Sequence, residues 1–208
     1  KKMKPRMLKI KGLNSFIEEQ EIDFCKLTGR GLFGIFGPTG SGKSTILDAI
    51  TLALYGEIPR NTKEFVNTEV DTLNVSYEFS IKDGENINIY IVERNFKKTE
   101  EGIRKSRSAR LLLIDRENID IIAEGINNVT QKINEILGLG AEDFTRSVVL
   151  PQGKFNEFLK LTGADRRNML ERIFGLKRYG KGLTEKIKII KNKKSMEILD
   201  IESQLKVY

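Results

Sequence analysis

Two spacings of apolar residues divide this chain into candidate strands and candidate helices. Alternating or short clustered patterns at residues 8–12 and 20–24 predict two short strands joined by 13–19. Residues 73–81 and 87–96 predict a hairpin tightened by Asp83-Gly84, and 110–114 with 119–123 predict a second, turning over 115–118. The glycine-bounded run 31–36 (Gly-Leu-Phe-Gly-Ile-Phe) reads as a buried strand, and 144–151 as a further one. Helical spacing appears at 43–55, where Ile46, Leu47, Ile50, Ala53 and Leu54 share a stripe that Gly56 and Pro59 terminate. It appears again at 129–137, closed by Gly138, and at 155–161 and 164–174.

The character changes near residue 176. Leu183, Ile187, Ile190, Lys194, Ile198, Ile201 and Leu205 follow one another in steps of three and four. That is close to a heptad seam with Lys194 as a defect, so the segment reads as the start of a coiled coil or as an ordinary amphipathic helix. The expected organisation is an α/β body over 1–175 and an arm over 176–208.

Charge locates two distinctive segments. The net charge is +7, but residues 94–110 carry seven Lys/Arg against two Glu, and residues 176–208 carry nine against four. Each segment is therefore +5 and the remaining chain is −3. Clustered charge of one sign fits a polyanion-binding surface, with a solvated loop and an exposed helix as the plain alternative. Lys97, Lys98, Arg104, Lys105 and Arg107 are the candidate polyanion-contacting residues of the first segment, and the second also carries a dense run of lysines.

Composition narrows the chemistry. With no histidine there is no imidazole base and no His-based metal site, and a single cysteine allows neither an internal disulfide nor a Cys-rich zinc site. A reducing, cytoplasmic setting is expected. No apolar run approaches the ~20 residues of a membrane span, and Lys1–Arg6 is not followed by the apolar stretch of a signal peptide, so no membrane partner is expected.

The strongest motif is Gly37-Pro38-Thr39-Gly40-Ser41-Gly42-Lys43-Ser44, a complete G-x-x-x-x-G-K-[ST] loop between a predicted strand and a predicted helix. Glycines let backbone amides wrap a phosphate, and the helix N-terminus adds positive potential. Lys43 would reach the β- and γ-phosphates, and the Ser44 hydroxyl would ligate Mg²⁺. Adenine is the expected base, because Asn192-Lys193-Lys194-Ser195 lacks the Asp of a guanine-reading element. Leu111-Leu112-Leu113-Ile114-Asp115 imitates a Walker B strand, but the residues beyond it continue as turn and return strand. A hairpin explains it better. No Leu-Ser-Gly-Gly signature occurs, so the chain is expected to be catalytically incomplete by itself.

Further strings carry a resemblance. Val149-Leu150-Pro151-Gln152-Gly153-Lys154-Phe155-Asn156-Glu157-Phe158-Leu159 resembles the Q-loop of ABC-type ATPases in the SMC-like group. Asn14-Ser15-Phe16, Ile22-Asp23-Phe24, Leu47-Asp48-Ala49-Ile50-Thr51-Leu52-Ala53-Leu54-Tyr55-Gly56 and Asp143-Phe144-Thr145-Arg146 look like the SbcC family within that group, the large ATPase subunits of bacterial SbcCD nucleases.

The resemblance implies a P-loop NTPase fold, the N-terminal lobe of an ABC-type ATPase head with antiparallel hairpins and the start of a long coiled coil. It implies ATP and Mg²⁺ as cofactors, with Gly37 to Thr45 holding phosphates and metal and Gln152 reporting the γ-phosphate beside Mg²⁺. Asn14 stands near where SMC-like heads carry a basic residue, a departure from their pattern. Implied partners are a C-terminal lobe of the same polypeptide, a second head, DNA and an SbcD-type metallo-phosphoesterase. The implied function is the ATP-binding half of a complex that processes DNA double-strand breaks and hairpins in the nucleoid. The competing readings are a structural SMC- or RecN-like ATPase that tethers DNA without a nuclease, and a small P-loop kinase.

Overall fold

A computed structural model describes residues 2–27, 29, 31–58, 67–98, 104–115, 118–148, 160–173 and 181–205. They fall into two units, Lys1–Glu157 and Phe158–Tyr208.

The first unit is built on a six-stranded antiparallel sheet. Its strands are β1 (Lys2–Lys11), β2 (Gln20–Asp23), β3 (Thr72–Asp83), β4 (Asn86–Lys98), β5 (Arg104–Asp115) and β6 (Asn118–Glu124), in the spatial order β2-β1-β3-β4-β5-β6. Alternation fixes the face turned to the core: Leu73, Val75, Tyr77, Phe79 and Ile81 of β3 and Tyr90, Val92 and Phe96 of β4 are all buried. Phe79 stacks between Tyr77 and Tyr90, with ring centroids 5.5 Å apart on both sides. In β1 the parity changes midway. Met3 and Pro5 pair with Ile81 and Phe79, whereas Leu8 and Ile10 pair with Tyr77 and Val75. The bulge at Arg6 makes the shift, beside a proline that has no amide to give the ladder.

Helix α1 (Phe24–Leu27) follows β2, and α2 (Lys43–Tyr55), α3 (Ile126–Leu137) and α4 (Ala141–Ser147) complete the unit. Helix α2 is buried almost all round, from Thr45 and Ile46 through Leu52, Ala53 and Leu54 to Tyr55. Val129 and Ile133 of α3 and Phe144 of α4 join the same core. Both α2 and α3 end on a left-handed glycine, Gly56 and Gly138, whose amide returns to the last turn. The second unit contains α5 (Gly163–Ile173) and α6 (Lys181–Leu205). All of the apolar seam positions of α6 from Leu183 to Ile201 are exposed.

The predicted hairpins form, and the 111–115 string is the C-terminal end of β5, which pairs antiparallel with β4 and β6. Two expectations are corrected. Residues 31–36 form no strand: Leu32 and Phe36 are 87% and 94% exposed, and among the described residues no strand pairs with them. A strand needs a neighbour to satisfy its amides and carbonyls, and this run has none within the described residues. Residues 144–147 are helical rather than extended. Glu142 and Asp143 sit favourably in the first turn of α4, Arg146 pairs with Glu142 at 2.6 Å, and Phe144 packs on Tyr55. Residues 149–151 of that expected strand lie outside the described residues, as does the expected helix 155–161 up to residue 159.

Candidate nucleotide site

The site is assembled around the N-terminal end of α2. Gly40 and Gly42 have φ of +86° and +85°, a left-handed backbone open to glycine at little cost. Gly42 has a second reason to be glycine. A Cβ there would come 2.8 Å from the Phe16 ring and 3.1 Å from Ser15 Oγ. The helix begins at Lys43 with no side-chain cap and no acidic residue in its first turn. Its first amides are therefore not taken up by a capping side chain, and nothing in the turn repels an anion.

Lys43 closes the loop from within. Its Nζ donates to the carbonyls of Gly37 (2.7 Å) and Pro38 (2.6 Å) and lies 3.4 Å from Ser41 Oγ. These bonds hold the ammonium across the loop mouth, between the first residues of the loop and the helix start. Thr39 and Ser41 are exposed along the loop, as is Ser44 at the start of α2, while Thr45 is buried one residue further on. The donor set fits a phosphate chain with a hard divalent cation: backbone amides, one ammonium and exposed hydroxyls.

A second segment buttresses the loop. Gly12, with φ +78°, starts a tight turn in which the Gly12 amide donates to Phe16 O (2.6 Å) and the Phe16 amide to Leu13 O (2.9 Å). Leu13 is fully buried and anchors this turn. Asn14 at its tip has φ +48°, the one positive-φ residue other than glycine among those described. Its Nδ2 faces Thr45 Oγ1 at 3.4 Å, and its carbonyl accepts from Asn67 Nδ2 at 2.5 Å. Asn14 is thus brought to the phosphate loop from a distant part of the sequence. Asn67, which supports it, carries no signal in the sequence, because it belongs to no motif, whereas Phe16 stands out there only as part of the Asn14-Ser15-Phe16 string.

The far end of α2 is held by Arg94 on β4, a fully buried side chain. Its Nε donates to Ala53 O (2.7 Å), and its Nη2 donates to Leu54 O and Thr130 Oγ1 (2.9 Å each). Burial lowers its pKa to about 10, so the guanidinium remains charged at neutral pH.

The basic candidates lie elsewhere on the sheet. Across β4 and β5, Lys97 is opposite Lys105 and Lys98 opposite Arg104, while Arg107 falls in the register shift beside Asn95 and Phe96. Gln152 lies outside the described residues. Among the described residues no helix is long and apolar enough to cross a membrane.

Comparison with known proteins agrees with this geometry. The chain is 54% identical over 200 residues to the SbcC component of nuclease SbcCD from Clostridium acetobutylicum, covering 95% of this chain and 17% of that protein. It is 52% identical over 189 residues to the protein of the same name from Bacillus subtilis (89% of this chain, 16% of that one), and 34% identical over 189 residues to that of Vibrio cholerae (85% and 18%). The chain thus spans about a sixth of the length of these curated relatives. A family model described as an AAA domain matches residues 7–208. With a complete phosphate loop heading a buried helix, the chain belongs to the AAA domain family, a family of P-loop ATPases.

Proposed function

We propose that this chain is the ATP-binding lobe of the ATPase component of a DNA-processing nuclease complex, acting in the cytoplasm on nucleoid DNA. The observation that carries the reading is the Lys43 ammonium, held by the Gly37 and Pro38 carbonyls at the open end of α2. The similarity to the SbcC component of nuclease SbcCD supports the setting.

Residues Gly37, Pro38, Thr39, Gly40, Ser41 and Gly42 wrap the phosphates of ATP with their backbone, and Lys43 neutralises the β- and γ-phosphate charge. Ser44 and Thr45 supply hydroxyls around the metal, and Gln152 contributes its carboxamide. Mg²⁺, when bound, screens phosphate charge and orients the terminal group for in-line attack. Asn14, pinned by Asn67, steers Thr45 and the adjoining phosphate oxygens.

The lobe is half of a site. Leu32, Phe33, Ile35 and Phe36 form an exposed apolar run leading into the loop. Strands from a C-terminal lobe of the same polypeptide would cover it and supply the Walker B carboxylates. Two such heads then enclose ATP between the loop of one and the signature sequence of the other, and γ-phosphate occupancy sets the dimer. Residues 1–175 belong to the head and 176–208 begin its coiled-coil arm. A metallo-phosphoesterase docked near the arm provides the nuclease chemistry.

Lys97, Lys98, Arg104, Lys105 and Arg107 contact DNA phosphates, giving sequence-independent and salt-dependent affinity. The decisive experiment is ATP hydrolysis and nucleotide-dependent DNA cleavage by the full-length polypeptide with its phosphoesterase partner. Loss of both in Lys43→Ala is expected, and unchanged hydrolysis would remove the reading. Failure to co-purify with a phosphoesterase would favour a DNA tether over a nuclease component.

A further inference from the structure

The fully buried Arg94 is a cation that the phosphate-loop reading does not use. Among the described residues no carboxylate pairs with it. Its Nη1 has no hydrogen-bond partner there, and a Cβ on Gly56 would lie 3.1 Å from that nitrogen. Burying an arginine without an acid costs free energy that a methionine of similar volume would avoid. The recipient of its hydrogen bonds explains the placement. Two of the three accepting groups, Ala53 O and Leu54 O, are terminal carbonyls of α2, at the negative end of the helix whose positive end carries Lys43. The third, Thr130 Oγ1, is on α3 and itself donates to Ile126 O (2.9 Å). One planar side chain on β4 thereby fixes α2 against α3 and the sheet.

Elsewhere α2 is held mainly by apolar contact, from Ile46 to Leu54, which is non-directional and tolerates sliding along the helix axis. The guanidinium fork is directional and sets that axial position. Since α2 is a rigid rod of 13 residues, an axial shift at Leu54 reaches Lys43 undiminished.

We propose that Arg94 is a positioning residue for the phosphate loop: by locking the C-terminal carbonyls of α2, it sets where Lys43 and the first amides meet nucleotide phosphate. This rests on the reading of residues 37–45 as a triphosphate site. Its own content is that nucleotide affinity depends on the buried end of the helix.

The test uses the full-length polypeptide, titrated with a fluorescent methylanthraniloyl-ATP and Mg²⁺. The nucleotide-induced rise in Tm is read above each variant's own baseline, so that loss of stability alone does not register. Arg94→Met should raise Kd roughly fivefold to tenfold, as a misplaced loop would. Arg94→Lys, keeping a cation and three donors, should recover part of the affinity, and Thr130→Val should give a smaller increase. If Arg94→Met does not fold, the lysine and valine variants carry the test. Folded Arg94 and Thr130 variants that bind with wild-type Kd would overturn the proposal while leaving the triphosphate reading intact. If Lys43→Ala binds as the wild type does, the triphosphate reading itself fails and the proposal goes with it.

Discussion

The two ends of helix α2 are built on opposite principles. At its start the backbone is left-handed at Gly40 and Gly42, the loop is exposed, and no side chain caps the amides. At its finish Gly56 returns its amide to Leu52 O at 2.8 Å, and Arg94 takes two further carbonyls inside the core. A helix has orphan polar groups at both termini, and a protein that only needed stability would satisfy both. Here one end is sealed and the other is left open, so the open end has a task and the sealed end gives it a fixed base.

The comparison breaks most severely at the open end. Lys43→Ala and Gly42→Ala should each abolish nucleotide binding, a loss of about a hundredfold or more, while Tm without nucleotide changes little for the lysine variant. Isothermal titration with ATP and Mg²⁺ on the full-length polypeptide is the check. Gly42→Ala should be the less stable of the two, because its methyl meets the Phe16 ring.

At the sealed end the order of effects reverses. Arg94→Met should lower unfolding free energy by about 1–3 kcal/mol in urea titrations, since leaving the terminal carbonyls of α2 without their donors outweighs the desolvation cost that methionine avoids. Leu52→Ala, a truncation at a fully buried position of the same helix, should cost a similar ~3 kcal/mol by leaving a cavity. If Arg94→Met cost nothing, the two ends would not differ in the way described.

Buried phenols sharpen the same contrast through pH. Burial raises the pKa of Tyr55, near the end of α2, and of Tyr77 in the sheet above the ordinary value of 10.0. The folded state keeps these protons while the unfolded chain begins to lose them near pH 10. Their stabilising contribution is complete below that pH and declines above it, by about 1.4 kcal/mol per pH unit for each group. The difference in stability between wild type and Tyr77→Phe should therefore be constant up to pH 10 and then move against the wild type. Alkaline urea titrations of the pair will show it. The smallest effect belongs to the exposed sheet surface, where breaking the 3.2 Å ion pair of Arg110 with Glu93 by Arg110→Ala should change stability by less than ~1 kcal/mol.

Sequence alone makes the open end legible and leaves the sealed end dark. The phosphate loop requires particular residue types at fixed offsets, so its string is diagnostic. The hairpins are equally visible, because alternation and turn residues are local. Arg94, by contrast, looks like one more cation in a basic segment; that it turns inward depends on the parity of β4 and on a helix forty residues away. The 31–36 run misleads for a related reason. Its apolar content signals burial, but burial against a strand depends on a partner that composition cannot reveal. At residues 144–147 the apolar string outweighs, on paper, the acidic first turn that starts α4.

The bulge at Arg6 gives β1 something like a reading frame. Upstream of it the odd-numbered residues face the core, and downstream the even-numbered ones do. Arg6 is the extra residue that lets both halves face inward, so deleting it would make Pro5 and Met7 neighbours opposite Phe79 and Glu78 and heal the strand into one unbroken alternation, with Met3, Pro5, Leu8 and Ile10 all still inward. Deleting Lys9 instead would make Leu8 and Ile10 neighbours and send one of the two to the solvent face. The same loss of one residue is thus absorbed at the bulge and disruptive three positions later.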